Sequence, residues 1–109
     1  MLKEVKDCYG NSARNFVRVV VDTETKVLYL TNKKTMIPML SKDGTPSLFS
    51  DSIRIINLDE KVRELNGFVG WQNIFVNEED KTMYVGGTEI LCQLIDEKGS
   101  PKIFEDNKE

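Results

Sequence analysis

Slid along itself until Val21 falls on Val76, the chain matches without a gap through to Asp51 on Asp106. The identical pairs are Val21/Val76, Glu24/Glu79, Lys26/Lys81, Tyr29/Tyr84, Gly44/Gly99, Pro46/Pro101, Phe49/Phe104 and Asp51/Asp106. Only about two identities would be expected by chance over such a stretch at ordinary residue frequencies. Leu28/Met83, Leu30/Val85, Met36/Leu91, Met39/Leu94, Leu40/Ile95, Thr45/Ser100 and Leu48/Ile103 also keep their chemical character, and upstream Phe16 faces Trp71 and Val19 faces Ile74. A repeat constrains the fold strongly, because one supersecondary unit must form twice and the two units must share a core.

Features present in both copies are the ones to believe. Residues 16–21 and 71–76 are short, β-branched or aromatic, and read as strands. Asp22-Thr23-Glu24-Thr25-Lys26 and Asn77-Glu78-Glu79-Asp80-Lys81 follow as hairpin turns, each opened by a side chain able to bond the backbone two residues on. Second strands are expected at 27–31 and 82–86, with Leu28 and Leu30 (Met83 and Val85) on one face and Tyr29 (Tyr84) on the other. The runs at 35–40 and 90–95 read as third strands covered on both faces, with Pro38 forcing an edge or a bulge. Turns at Gly44-Thr45-Pro46 and Gly99-Ser100-Pro101 then lead to short closing strands near Leu48-Phe49 and Ile103-Phe104, and Ile53–Ile56 reads as an extension of the first of these. The Gly86-Gly87 pair, which stands where the first copy has Thr31-Asn32, reads as a flexible bend.

Between the copies, Leu58, Val62 and Leu65 fall at helical spacing, with acids early and Gly67 placed to end a helix. Met1–Gly10 is read as the matching helix after a two-residue shift. The expected fold is therefore α+β: a tandem duplication of a short helix plus a small antiparallel sheet, packed as one pseudo-two-fold domain. Its modules would be 1–54, with an N-terminal helix, and 55–109, with a short helix at about 58–66.

Part of the first copy resembles a known pattern. Val21-Asp22-Thr23-Glu24-Thr25-Lys26-Val27-Leu28-Tyr29-Leu30, followed by Met36-Ile37-Pro38-Met39-Leu40-Ser41-Lys42-Asp43-Gly44-Thr45-Pro46, resembles an uncharacterised family of small proteins from low-GC Gram-positive bacteria and their phages. Its members carry V-D-x-x-T-G-V-x-Y-L before P-L-L-x-x-x-G-x-P, usually once per chain. The match covers these two segments of the first copy. It departs from the family at Lys26, where Gly is common, and at Gln93 in the second copy. The resemblance implies a fold and a biological neighbourhood, and it carries no activity.

Composition narrows the function classes. The chain has no histidine, which removes the usual neutral-pH general base, His-based triads and most zinc or non-haem iron sites. Cys8 and Cys92 lack metal-type spacing and are expected as reduced thiols, Cys92 in the core. No apolar run could span a bilayer, and the first residues lack the apolar core of a signal peptide, so a cytoplasmic protein with no membrane partner is expected. No cofactor, metal site or catalytic residue is assigned, and the chain is read as not an enzyme. The turn acids Asp22, Glu24, Glu78, Glu79 and Asp80 are ordinarily solvated and have no calcium-loop ladder.

Two further features could carry binding. Aromatics on the second strand faces, Trp71, Tyr84 and Tyr29, either complete a core or form an interaction patch. Residues 1–54 hold nine bases and six acids (9 − 6 = +3) and residues 55–109 six and twelve (6 − 12 = −6), matching the chain's net charge of −3. That divergence is drift on solvated surfaces, or it serves different partners or head-to-tail association. A nucleic-acid groove would want more bases among aromatics. The leading expectation is a non-catalytic binding protein that recognises another macromolecule, a protein, as a phage-type accessory or anti-defence inhibitor. Trp71, Tyr84, Tyr29, Glu78, Glu79 and Asp80 would form its partner surface, and homo-oligomerisation is compatible with it. The alternative is a small-molecule sequestering protein that holds a nucleotide-like ligand between the copies, with Tyr29 and Tyr84 as stacking surfaces.

Overall fold

A computed structural model of the chain describes residues 1–5, 17–68, 73–87 and 89–105. It forms two four-stranded antiparallel sheets. The first runs β1 (Leu2–Glu4), β2 (Arg18–Asp22), β3 (Leu28–Thr31) and β4 (Met36–Pro38). The second runs β5 (Ile55–Asn57), β6 (Ile74–Asn77), β7 (Met83–Gly86) and β8 (Leu91–Gln93), and the one described helix, α1 (Glu60–Leu65), joins β5 to β6. The radius of gyration, 13.2 Å, is that of a single packed domain of about 100 residues.

The two sheets share their pairing. Val19 opposes Leu30 and Tyr29 opposes Pro38 in the first; in the second, their counterparts pair the same way, Ile74 with Val85 and Tyr84 with Gln93. Isolated bridges repeat as well, Val27 with Leu48 and Thr82 with Ile103, and Leu40 with Pro46 and Ile95 with Pro101. The hairpin turns close alike: Lys26 N–H donates to Asp22 and Lys81 N–H to Asn77, both at 2.7 Å. Asp22 and Asn77 accept from Glu24 and Glu79 N–H through their side chains, as their type predicts.

In both turns the last residue is a lysine in left-handed conformation, Lys26 at φ 68° and Lys81 at φ 69°. A Cβ there costs about 1 kcal/mol, and glycine recovers it at an entropic expense of roughly 0.5 kcal/mol in the unfolded chain. Lys26→Gly and Lys81→Gly are thus each expected to raise stability by about 0.5 kcal/mol. Chemical denaturation checks this, and a loss of stability in both variants would refute it.

Two sequence expectations are corrected. Leu2–Glu4 is a strand on the edge of the first sheet, so the helix read into Met1–Gly10 does not begin there; residues 6–10 lie outside the described residues. Ile55–Asn57 does not extend the first copy: it pairs with β6 as Leu2–Glu4 pairs with β2. The equivalence of the two sheets is offset here by two positions, so that Leu2 answers to Ile55. Val5 N–H donates to Val19 as Leu58 N–H does to Ile74. Each sheet thus starts with its own strand, and short apolar strands at an edge read as easily as helix ends by spacing alone. The helix expected at 58–66 is present as Glu60–Leu65, capped by the Asp59 carboxylate on Val62 N–H at 2.9 Å.

Packing departs from expectation too. The face bearing Val19, Val21, Leu28 and Leu30 (Ile74, Val76, Met83 and Val85 in the second sheet) is the aliphatic face, and the opposite one, with Tyr29 or Tyr84, is the tyrosine face. A two-fold arrangement would press equivalent faces together. Instead, one buried cluster joins Val19, Val21, Leu28, Leu30 and Met39 of the first sheet to Ile55, Phe75, Tyr84 and Leu91 of the second. The aliphatic face of the first sheet therefore lies on the tyrosine face of the second. Face-to-face sheets stand about 10 Å apart with strands nearly aligned, and here equivalent residues sit above one another. Asn32 Nδ2 donates to the Gly87 carbonyl at 2.7 Å and Lys34 pairs with Glu89 at 2.8 Å. The sheets are stacked layers, and the pseudo-two-fold expectation does not hold.

The aliphatic face of the second sheet is covered differently. A second cluster packs Leu58, Ile74, Val76, Met83 and Val85 with the partly buried Val62, Phe68, Leu94 and Phe104. α1 has no fully buried residue, so it caps this end of the stack lightly.

Candidate functional site

Among the described residues, layered stacking leaves one sheet face without a layer on it. Val20 and Tyr29, half-buried at the centre of the first sheet's tyrosine face, belong to neither buried cluster. Leu2 and Met36 on the same face are 48% and 47% exposed. The strand register sets three rows across it: Leu2 and Asp22; then Glu4, Val20, Tyr29 and Pro38; then Arg18, Thr31 and Met36.

Comparison with the buried tyrosine face of the second sheet shows what differs. The four apolar residues of that face in the core, Ile55, Phe75, Tyr84 and Leu91, stand opposite Leu2, Val20, Tyr29 and Met36, so every apolar position stays apolar. The three charged residues of the open face, Glu4, Arg18 and Asp22, stand where the covered face has Asn57, Asn73 and Asn77. Asn73 and Asn77 are buried, and an amide is far cheaper to bury than a charge. The first sheet thus keeps charge beside its apolar residues, whereas the second carries residues that can be sealed in a core. Glu4 and Arg18 approach to 3.9 Å, both about half exposed.

The residues singled out from sequence fall in different places. Tyr29 is on the open face. Tyr84 is not a surface residue: it is fully buried between the layers, its hydroxyl 3.2 Å from that of Thr82, and burial pushes its phenol pKa up. The first sheet stands between the two tyrosines, so they cannot clasp one ligand, and the stacking pair expected of the small-molecule alternative is not formed. Trp71 lies outside the described residues, as do Phe16 and Cys8. Cys92 is an exposed free thiol rather than a core residue.

Glu78, Glu79 and Asp80 form a turn whose acids are tied to this chain. Glu78 pairs with Arg54 at 3.3 Å, Glu79 accepts from the Ser50 and Ser52 hydroxyls at 2.9 and 3.1 Å, and Asp80 accepts from Lys42 N–H at 3.2 Å. Glu78 and Glu79 are still exposed. These contacts pin the turn of the second sheet to the segment leaving the first. The Gln93 amide clamps the backbone of Leu40, donating at 2.7 Å and accepting at 3.0 Å. Sequence alone could not have found Gln93, because its partner belongs to the other layer and is remote along the chain.

A cleft of about 410 Å³ opens beside α1, with Met83, Phe68 and Phe104 inside and Asp96, Lys102 and Glu105 around it. Among the described residues no group of three or more potential ligand side chains is placed to hold a metal ion, and no helix is long and apolar enough to cross a membrane. Compared with known proteins, the chain matches no family model, no curated protein and no solved structure.

Proposed function

We propose that this is a non-catalytic protein-binding module, built by tandem duplication of one sheet unit, whose partner docks on the tyrosine face of the first sheet. One observation carries the reading: Leu2, Val20, Tyr29 and Met36 repeat the apolar pattern that a whole sheet covers in the second unit, yet they stand beside the charged Glu4, Arg18 and Asp22 and are partly exposed. A surface of this composition gains from covering its centre and loses little by keeping its rim wet. Shared register at every strand pair supports the duplication, and the exchange of Glu4, Arg18 and Asp22 for asparagines is the change on this face that fits a binding role. The exposed Glu78–Glu79 edge adds negative field on another side and would steer a basic partner. The resemblance to small Gram-positive and phage proteins favours an accessory or anti-defence inhibitor acting in the cytoplasm, by analogy of fold neighbourhood alone.

The test compares tagged wild-type protein with Tyr29→Glu on affinity resin in lysate of the cells that make it. A stoichiometric protein held by the wild type and lost with Tyr29→Glu is the expected result. Equal retention by both, or no retained protein at any salt concentration, would overturn the reading. Glu78→Lys with Glu79→Lys should lower affinity and its salt dependence by a smaller factor, because rim charges act mainly on the encounter rate.

A further inference from the structure

We propose that the free protein covers its open face with a second copy of itself, forming a two-fold dimer through the tyrosine faces of the two first sheets. The inference rests on the reading of that face as a binding surface and names its first partner. Three observations point to it. First, the layers form a short stack, and stacked repeats need each end closed by a cap. α1, Phe68 and Phe104 close the end at the second sheet, which blocks head-to-tail growth there. The other end carries no such cap among the described residues, and joining two chains there gives a four-layer stack with a cap at both ends, a closed assembly of the commonest symmetry.

Second, the face carries one pair of opposite charges, Arg18 and Asp22, that a two-fold axis can bring together, with Asp22 also 3.8 Å from the Met1 ammonium of its own chain. Arg18 and Asp22 lie at opposite ends of β2 with Val20 between them, all three on this face. A two-fold axis running across the strands over Val20 and Tyr29 reverses the strand direction of the second copy. Each Arg18 then meets the second copy's Asp22, while Tyr29 meets its own counterpart on the axis. Glu4, also in the central row, is kept beside Arg18 at 3.9 Å, which offsets its approach to the second copy's Glu4. Third, the same kind of face is already covered by a sheet within this chain, so a sheet-shaped occupant is one this surface accommodates.

The face sets the strength. Four strands about 4.8 Å apart and three rows about 7 Å apart make a patch of roughly 19 by 21 Å. That is well below the ~800 Å² per partner of a stable interface, so the dimer is weak, populated between about 10 µM and 1 mM.

Residues on a two-fold axis face themselves, and this supplies the test. Sedimentation and small-angle scattering would follow the mass of the wild type, Tyr29→Glu and Tyr29→Lys from about 10 µM to 1 mM, with circular dichroism confirming that each is folded. The wild type is expected to move towards twice the monomer mass. Each variant alone should stay monomeric, its self-association weakened at least about tenfold by like charges on the axis. A one-to-one mixture of the two variants should dimerise again, because glutamate then meets lysine. A monomeric wild type at the top of that range, variants that dimerise as the wild type does, or a mixture that stays monomeric would each overturn the proposal. A monomeric wild type whose captured protein is lost with Tyr29→Glu would sink the dimer while leaving the binding reading standing.

Discussion

Phe75→Ala is expected to destabilise the fold by about 3–5 kcal/mol, whereas Val20→Ala, at the equivalent position of the first sheet, should cost under about 1 kcal/mol. Phe75 is 1% exposed and packs in the cluster between the layers, while Val20 is in neither cluster. Truncating a buried phenylalanine removes its transfer free energy and leaves a cavity that the flanking sheets can fill only by moving together. A domain of this size has about 5–15 kcal/mol of stability in all, so the first variant would sit near its unfolding midpoint in mild denaturant. Urea denaturation of both variants measures the contrast. Equal losses would mean that the two tyrosine faces are equally covered, and the layered arrangement would have to be abandoned.

Gly86→Thr, which writes the first sheet's Thr31 into the second, should cost about 1–3 kcal/mol by overpacking. A Cβ built on Gly86 would stand 3.1 Å from Leu91 Cδ1 and 3.2 Å from both Phe75 Cε2 and Val17 Cγ2. Val17 belongs to the first sheet's side of the core, so the glycine sits at a close approach of the two layers. It is a strand residue at a close approach, not the flexible bend its pairing with Gly87 suggests. The reciprocal Thr31→Gly change meets no such contact and should cost only about 0.5–1 kcal/mol in backbone freedom. Thermal denaturation of the pair checks the asymmetry. A neutral Gly86→Thr variant would show that the layers can part at that point without loss.

Much of the local structure was legible in the residues. The hairpin turns at 22–26 and 77–81, the alternation on β2, β3, β6 and β7, and the edge position of the Pro38 strand all follow from turn chemistry and a two-residue period. These are short-range effects, and the turns and the alternation recur in both halves of the chain. The N-terminal reading failed because a segment as short as Leu2–Glu4 cannot distinguish a strand from the start of a helix, and only pairing with Val20, Val21 and Asp22 makes it a strand.

The site was less legible. Tyr29 and Tyr84 are identical in type and register, yet one is half-exposed and the other sealed. No local rule tells them apart, because the difference lies in which sheet is stacked on which. The signal that could have separated them was the exchange of Glu4, Arg18 and Asp22 for Asn57, Asn73 and Asn77, which marks burial by removing charge from one face. It becomes readable only once β1 is known to be the counterpart of β5, with Leu2 answering to Ile55.

By itself, then, the sequence determined the hairpins: where β2, β3, β6 and β7 run, where they turn, and which of their residues share a face, since these depend on neighbours in the chain. Tertiary structure alone decided the stacking of unlike faces, the cap of α1 and Phe104 over one end, and the open face at the other. Hydrophobic burial is non-directional, so an apolar face specifies that it must be covered but not by what. The choice fell to the fit of whole layers: Gly86 against Val17, Gln93 on Leu40 and Asn32 on Gly87.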